Sequence, residues 1–249
     1  MGLSSRTTMA KVIILSAGKG TRMLHLTKRK SKHLIKVLKK PFLSYLLDNI
    51  IKAGFKELIV VTGYKAETTK DFLKKYKHRD KIKLINQYEI FGEKKYGTAI
   101  AVMAAKDTVK KESFIVVMGD NLYSPKDLKE INIKGKYNFI AGFHHQNPQK
   151  YGVLVLKNGF LKKIVEKPKK YIGDLINTGL YKFTPEIFEK IKKVRPSKRG
   201  EYELTDAINL LAKERKTKIK IIKDYWLDFG NPADIIRLSR FLKNNNEKS

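Results

Sequence analysis

A chain of 249 residues with 54 Lys and Arg against 24 Asp and Glu carries a formal charge of +30, and it has no cysteine. That composition excludes a disulfide framework and a thiol nucleophile, and no apolar run reaches the length of a membrane span or forms the core of a signal peptide. The length suits one large α/β domain with a substantial core, and lysines recur in almost every segment as a solvated surface whose field favours capture of phosphorylated anions.

Residues 1–8 are polar and read as a flexible leader to a single domain over 9–245, expected in the cytoplasm. The apolar run Val12, Ile13, Ile14, Leu15 predicts a buried central strand. It breaks into Ser16, Ala17, Gly18, Lys19, Gly20, Thr21 and Arg22. Ligands of open α/β sheets gather at such a carboxyl edge. Gly18 and Gly20 can take positive φ and bring backbone N–H groups close to phosphate oxygens, while Lys19 and Arg22 add charge for a triphosphate. The spacing fits neither the dinucleotide fingerprint nor the lysine-bearing P-loop.

A basic run follows over 27–40, then a helical stripe over 42–53 closed by Gly54. Next come a strand over 58–61, a helix over 66–76 and a strand over 82–86 ending at Gln87. A glycine-bearing loop over 88–97 leads to an alanine-rich helix over 98–105 and a strand over 113–119 ending at Asp120. This alternation implies parallel strands with right-handed crossovers.

Ser124, Pro125 and Asp127 predict a capped short helix, after which strands dominate: 139–144, 151–156, 161–165 and 176–183. Lys157-Asn158-Gly159 is a hairpin turn. Thr184-Pro185-Glu186 is expected to cap a helix, 202–213 forms a longer one, and 219–222 is a late strand. Asn231 to Asp234 starts a final helix that frays over 244–249. No linker, internal repeat or hexapeptide β-helix signature is present, so a nucleotide-binding half (about 9–125) and a second half (about 126–245) share one mixed sheet, with no C-terminal β-helix domain expected.

Two carboxylates follow apolar runs, Asp120 in V-V-M-G-D-N and Asp228 in W-L-D-F-G-N-P. Burying a carboxylate is costly unless it meets a cation or hydrogen bonds, and Mg²⁺ takes one or two carboxylates with phosphate oxygens and water. Each alone also reads as a turn aspartate. His144–His145 lacks flanking ligand spacing. The Gln87 amide, one acceptor and two donors, matches the N3–H and an adjacent carbonyl of uracil or thymine.

The segment L-S-A-G-K-G-T-R-M resembles the signature loop of the sugar-1-phosphate nucleotidylyltransferases, written L-[AG]-[AG]-G-x-G-[ST]-R. Further pieces match in order: S-K-H-L-I-K-V, with Ser31 and Lys36 where that family has prolines; G-T-A at Gly97-Thr98-Ala99; and Y-G-V at Tyr151-Gly152-Val153. E-K-P at Glu166-Lys167-Pro168, N-T-G at Asn177-Thr178-Gly179 and G-E-Y-E-L-T-D-A-I over 200–208 complete the set. In W-L-D-F-G-N-P, Phe229 and Asn231 replace the usual threonines.

The resemblance implies a Rossmann-like three-layer α/β/α nucleotidyltransferase fold with a mostly parallel mixed central sheet. It implies transfer of a nucleotidyl group, UTP or dTTP favoured, to a sugar 1-phosphate with release of pyrophosphate. On this resemblance Arg22, Lys32 and Lys167 are catalytic, and Leu15, Ala17, Gly18, Gly20, Thr21, Gln87, Gly97 and Thr98 bind the nucleotide. Gly152, Glu166, Asn177 and Thr178 bind the sugar, and Asp120 and Asp228 hold Mg²⁺. The expected partners are the two substrates, with no nucleic acid and no membrane, and homo-oligomerisation left open. A cytidylyltransferase acting on an inositol phosphate is the near alternative, against which E-K-P and N-T-G favour a sugar. A basic nucleic-acid-binding protein is the distant one, against which most aromatics fall inside apolar stretches.

Overall fold

The computed structural model describes residues 9–246, so the expected leader over 1–8 lies outside the described residues. The first strand, β1 (Lys11–Ser16), is buried along its length because its four apolar residues meet hydrophobic layers on both faces. A 3₁₀ turn (Thr21–Thr27) and a second one (Lys32–Leu34) follow, then the short hairpin β2 (Lys36–Val37) and β3 (Lys40–Pro41) and the helix α1 (Phe42–Lys52). Then come β4 (Leu58–Thr62), α2 (Ala66–Lys74), β5 (Ile82–Asn86), α3 (Gln87–Phe91), α4 (Thr98–Ala104), α5 (Lys106–Val109) and β6 (Phe114–Met118). Strands β6, β1, β4 and β5 lie side by side and parallel, with Ile14 level with Val60 and Val117.

The second half adds β7 (Asn121–Tyr123), α6 (Pro125–Glu130), β8 (Asn138–His144), β9 (Gly152–Lys157), β10 (Phe160–Glu166) and β11 (Leu175–Phe183). It ends with α7 (Ile187–Ile191), α8 (Leu204–Lys213), β12 (Thr217–Ile221), β13 (Trp226–Asp228) and α9 (Ala233–Asn246). The sheet runs β10-β9-β11-β6-β1-β4-β5, with β8 between β11 and β12. β11 joins the halves: it runs antiparallel to β6 (Leu180 opposite Val117), to β8 and to β9 (Ile176 opposite Val153). The result is the expected mixed sheet, parallel in the first half.

Two hydrophobic layers sandwich it. Val12, Ile14 and Val60 pack with Leu43, Leu46 and Leu47 of α1, while Ile13, Leu15 and Ile59 pack with Ala101 of α4 and Ala207 and Leu211 of α8. α/β alternation and these layers make three tiers.

Four local expectations differ. The loop over 88–97 opens with the helical turn α3, because Asn86 Oδ1 accepts the Tyr88 N–H at 3.1 Å and caps it. Thr184-Pro185-Glu186 does lead into the helix α7, with Glu186 at its N-cap position, but without a side-chain cap: the Thr184 N–H and hydroxyl both go to Asn138 Oδ1. The final helix stays regular to Asn246, and the rest of the expected frayed end, over 247–249, lies outside the described residues. β7, three residues long, escaped the sequence reading.

Candidate active site

The carboxyl edge of β1 opens onto a cavity of about 110 Å³ whose walls include Leu15, Ala17, Gly18, Lys19, Lys32, Gln87, Gly97, Thr98, Asp120 and Glu201. Most of the residues expected to bind a nucleotide therefore meet in one place. The loop after β1 does so with one left-handed glycine instead of two. Gly20 has φ 65°, and a side chain there would lie 2.8 Å from Lys32 Cβ; Gly18 is not left-handed and has open space around it. Thr21 begins the 3₁₀ turn, and the exposed Arg22 guanidinium passes close to Gly230, beside Asp228.

Lys32 is nine-tenths buried and pairs with Asp120 Oδ2. Burial, the largest single influence, pushes the Asp120 carboxyl up, but the Lys32 ammonium, its hydrogen bond and the neighbouring groups together hold the pKa below the usual carboxylate range. His33, fully buried with Nδ1 2.9 Å from Ser31 Oγ, has its pKa lowered to about 3 by burial and by Lys32, and is neutral. Gly119 lets the G-D turn touch β1, since its would-be Cβ falls 2.5 Å from the Leu15 carbonyl oxygen.

β7 and β13 bring the backbones of the two expected metal aspartates together. Asp228 stands opposite Asn121, and the Phe229 N–H donates to the Asp120 carbonyl at 2.7 Å. Asp228 Oδ1 accepts from Arg237 of α9 at 2.6 Å, and Arg237 also reaches Asp234 at 3.0 Å. Hard carboxylates on adjacent strand ends, one paired with Lys32 and one with Arg237, are donors of the kind Mg²⁺ takes, and it needs few protein ligands when phosphates supply the rest. Among the described residues no group of three or more His, Cys, Asp or Glu could form a fuller cage.

On the other side, Glu166 ends β10 opposite Gly152, its Oε1 2.9 Å from where a Gly152 Cβ would be. Burial and the Glu203 carboxylate push the Glu166 pKa up. Lys167 takes a left-handed φ of 44°, its N–H held by the Tyr151 carbonyl at 3.0 Å, and it makes no ion pair among the described residues. Asn177 Oδ1 accepts from the Gly179 N–H at 3.1 Å and its amide donates to the Tyr181 hydroxyl at 2.9 Å.

The hydroxyls of two expected binding residues are engaged with the backbone. Thr178 is buried: its hydroxyl donates to the Ala141 carbonyl at 2.8 Å, and its own carbonyl accepts from Asn121, Tyr123 and Trp226. The Thr98 hydroxyl accepts the Leu204 N–H at 2.8 Å, and the Ala99 N–H donates to the Tyr202 carbonyl at 2.9 Å. The G-T-A and G-E-Y-E-L-T segments thus form one seam, which explains Gly97: a Cβ there would lie 2.5 Å from Tyr202 N and O. Sequence reasoning missed Arg237, although its i, i+3 spacing from Asp234 was visible, and it missed the brace of Tyr151 against Trp226 at 5.2 Å.

A family model described as "Nucleotidyl transferase" matches residues 11–245. The chain is 39% identical over 232 residues to "Bifunctional protein GlmU" of Methanocaldococcus jannaschii, covering 92% of this chain and 53% of that protein, so it spans about half the length of that relative. It is 33% identical over 231 residues to "UTP--glucose-1-phosphate uridylyltransferase AglF" of Haloferax volcanii, covering 90% of this chain and 93% of that one. A solved UDP-glucose pyrophosphorylase complexed with UDP-glucose shares the fold with a TM-score of 0.81 at 24% identity, covering 95% of this chain and 99% of that chain. No helix of the described residues is long and apolar enough to cross a membrane.

Proposed function

The chain belongs to the nucleotidyl transferase family, and from that premise we propose that it transfers a nucleotidyl group from UTP or dTTP to a sugar 1-phosphate and releases pyrophosphate. The observation that carries this reading is Gln87 Oε1, buried in the cavity wall without a hydrogen-bond partner. Leaving such an acceptor unpaired costs about 1–3 kcal/mol. The N3–H of uracil or thymine supplies the missing donor, and the Gln87 amide group can serve the adjacent carbonyl. Cytosine has no N3–H.

The chemistry asks mainly for alignment and charge. A sugar phosphate is already an anion, so its oxygen attacks the α-phosphorus directly, the new P–O bond forms, and the bond to the β-phosphate oxygen breaks. Glu166 and Asn177 accept and donate to sugar hydroxyls, and Lys167 holds the sugar phosphate. Arg22 and the loop N–H groups hold the departing pyrophosphate, with Lys32 on the nucleotide phosphates. Asp120 and Asp228 would hold Mg²⁺, which supplies neutralisation of phosphate charge when bound.

Pyrophosphate release measured with five nucleotides and a panel of sugar 1-phosphates tests the reading. UTP and dTTP are expected to be used, and CTP, ATP and GTP to be poorer by about tenfold or more, the equivalent of one lost buried hydrogen bond. Gln87→Leu should flatten that ranking by weakening UTP and dTTP. A native preference for ATP or GTP would sink the assignment of Gln87.

A further inference from the structure

Lys32 sits on a 3₁₀ turn of only three residues, too short to hold a long side chain by itself. What fixes the turn lies on the far side, away from the cavity. The Ser31 N–H donates to Thr68 Oγ1 at 3.2 Å, and the same hydroxyl donates to the Lys65 carbonyl at 2.8 Å. Thr68 is thus used once as acceptor and once as donor. Lys65, left-handed at φ 55° just ahead of α2, sends its ammonium back to the carbonyls of Thr27, at 3.0 Å, and Lys28. The segment leading into Lys32 is therefore stitched to the start of α2 at two points. On the cavity side its position is closed by Gly20 against the Lys32 stem.

We propose that Thr68 is a positioning residue for Lys32, acting through the Ser31 N–H to set where the Lys32 ammonium stands. Thr68 does not line the nucleotide cavity; it borders an open cleft on the outer side with Arg29 and Lys65. The bridge does by hydrogen bonding what a ring could do covalently. Ser31 has φ −57° and ψ 142°, values that proline adopts without strain. Small displacements of an aligning group are costly in a reaction that depends on alignment, so one hydroxyl outside the cavity bears on turnover. The inference rests on the reading of Lys32 as the nucleotide-side lysine.

Calorimetric UTP affinity and steady-state kinetics in both substrates test it. Thr68→Val, nearly the same shape without the hydroxyl, should weaken UTP binding about fivefold to tenfold, the worth of one hydrogen bond, while the sugar-phosphate KM moves less than about twofold. Thr68→Ser should restore wild-type binding. In a Lys32→Ala background, Thr68→Val should add almost nothing, because coupled residues are not additive. Wild-type UTP binding in Thr68→Val overturns the proposal, and so does an equal loss on top of Lys32→Ala or an equal rise in sugar-phosphate KM. Unchanged UTP binding in Lys32→Ala itself overturns both this inference and the role given to Lys32.

Discussion

At the scale of single residues, burial holds His33, next to the site lysine, neutral near neutral pH. His33 is buried between Ser31 and the Gly119 turn, beside the Lys32 ammonium, and its pKa is lowered from 6.5 to about 3. Between those two values the unfolded chain binds a proton at this position and the native chain does not. Stability from this group is therefore fully present above pH 6.5 and is lost as the pH falls towards 3, at a limiting slope of about 1.4 kcal/mol per pH unit. His33→Asn keeps a small polar group and removes the titration. Urea unfolding at pH 7 and pH 5 should show the wild type losing more stability than His33→Asn; parallel losses would mean that His33 is protonated in the native protein. The same residue shows where sequence reading stops. Lys32 was legible from its motif, but that His33 is a neutral wedge follows only from the packing around it.

At the scale of elements, the β7–β13 ladder is what turns two distant aspartates into neighbours. Trp226 anchors it: its Nε1–H donates to the Thr178 carbonyl at 3.0 Å and its ring meets Tyr151 and Phe143. Trp226→Phe should cost about 0.5–1.5 kcal/mol of stability, the net worth of the lost hydrogen bond, and Trp226→Ala about 3–5 kcal/mol, that of a vacated aromatic site. Denaturant melts check both; equal losses would show that the hydrogen bond matters and the ring does not. β1, β4, β5 and β6 were readable because runs such as L-I-V-V and F-I-V-V-M announce buried strands. β7 was not, because N-L-Y is too short for any periodicity, and its partner W-L-D is settled only by tertiary pairing. The hydrogen bonds of the Thr178 and Thr98 hydroxyls were hidden for a related reason. Both belong to motifs, but their hydroxyls point at the Ala141 carbonyl and the Leu204 N–H, contacts made across 37 and 106 residues of chain.

At the scale of the whole molecule, β11 welds two halves into one sheet and sets their candidate sites side by side. The nucleotide cavity lies at the ends of β1, β5 and β6, and Glu166, Lys167 and Asn177 lie at the facing ends of β10 and β11. The chain as a whole carries an excess of 30 positive charges, a field that raises the local concentration of phosphorylated anions. The proposed function requires that two substrates bound at these ends react with each other. The direct measurement is to supply UTP labelled at the α-phosphate, a panel of sugar 1-phosphates and Mg²⁺, and to follow label and pyrophosphate together. The proposed function predicts label in a nucleotide sugar, one pyrophosphate released per labelled product, and loss of both signals with EDTA or with Asp120→Asn. Pyrophosphate released without a labelled sugar product, or no transfer to any sugar phosphate in the panel, would contradict it.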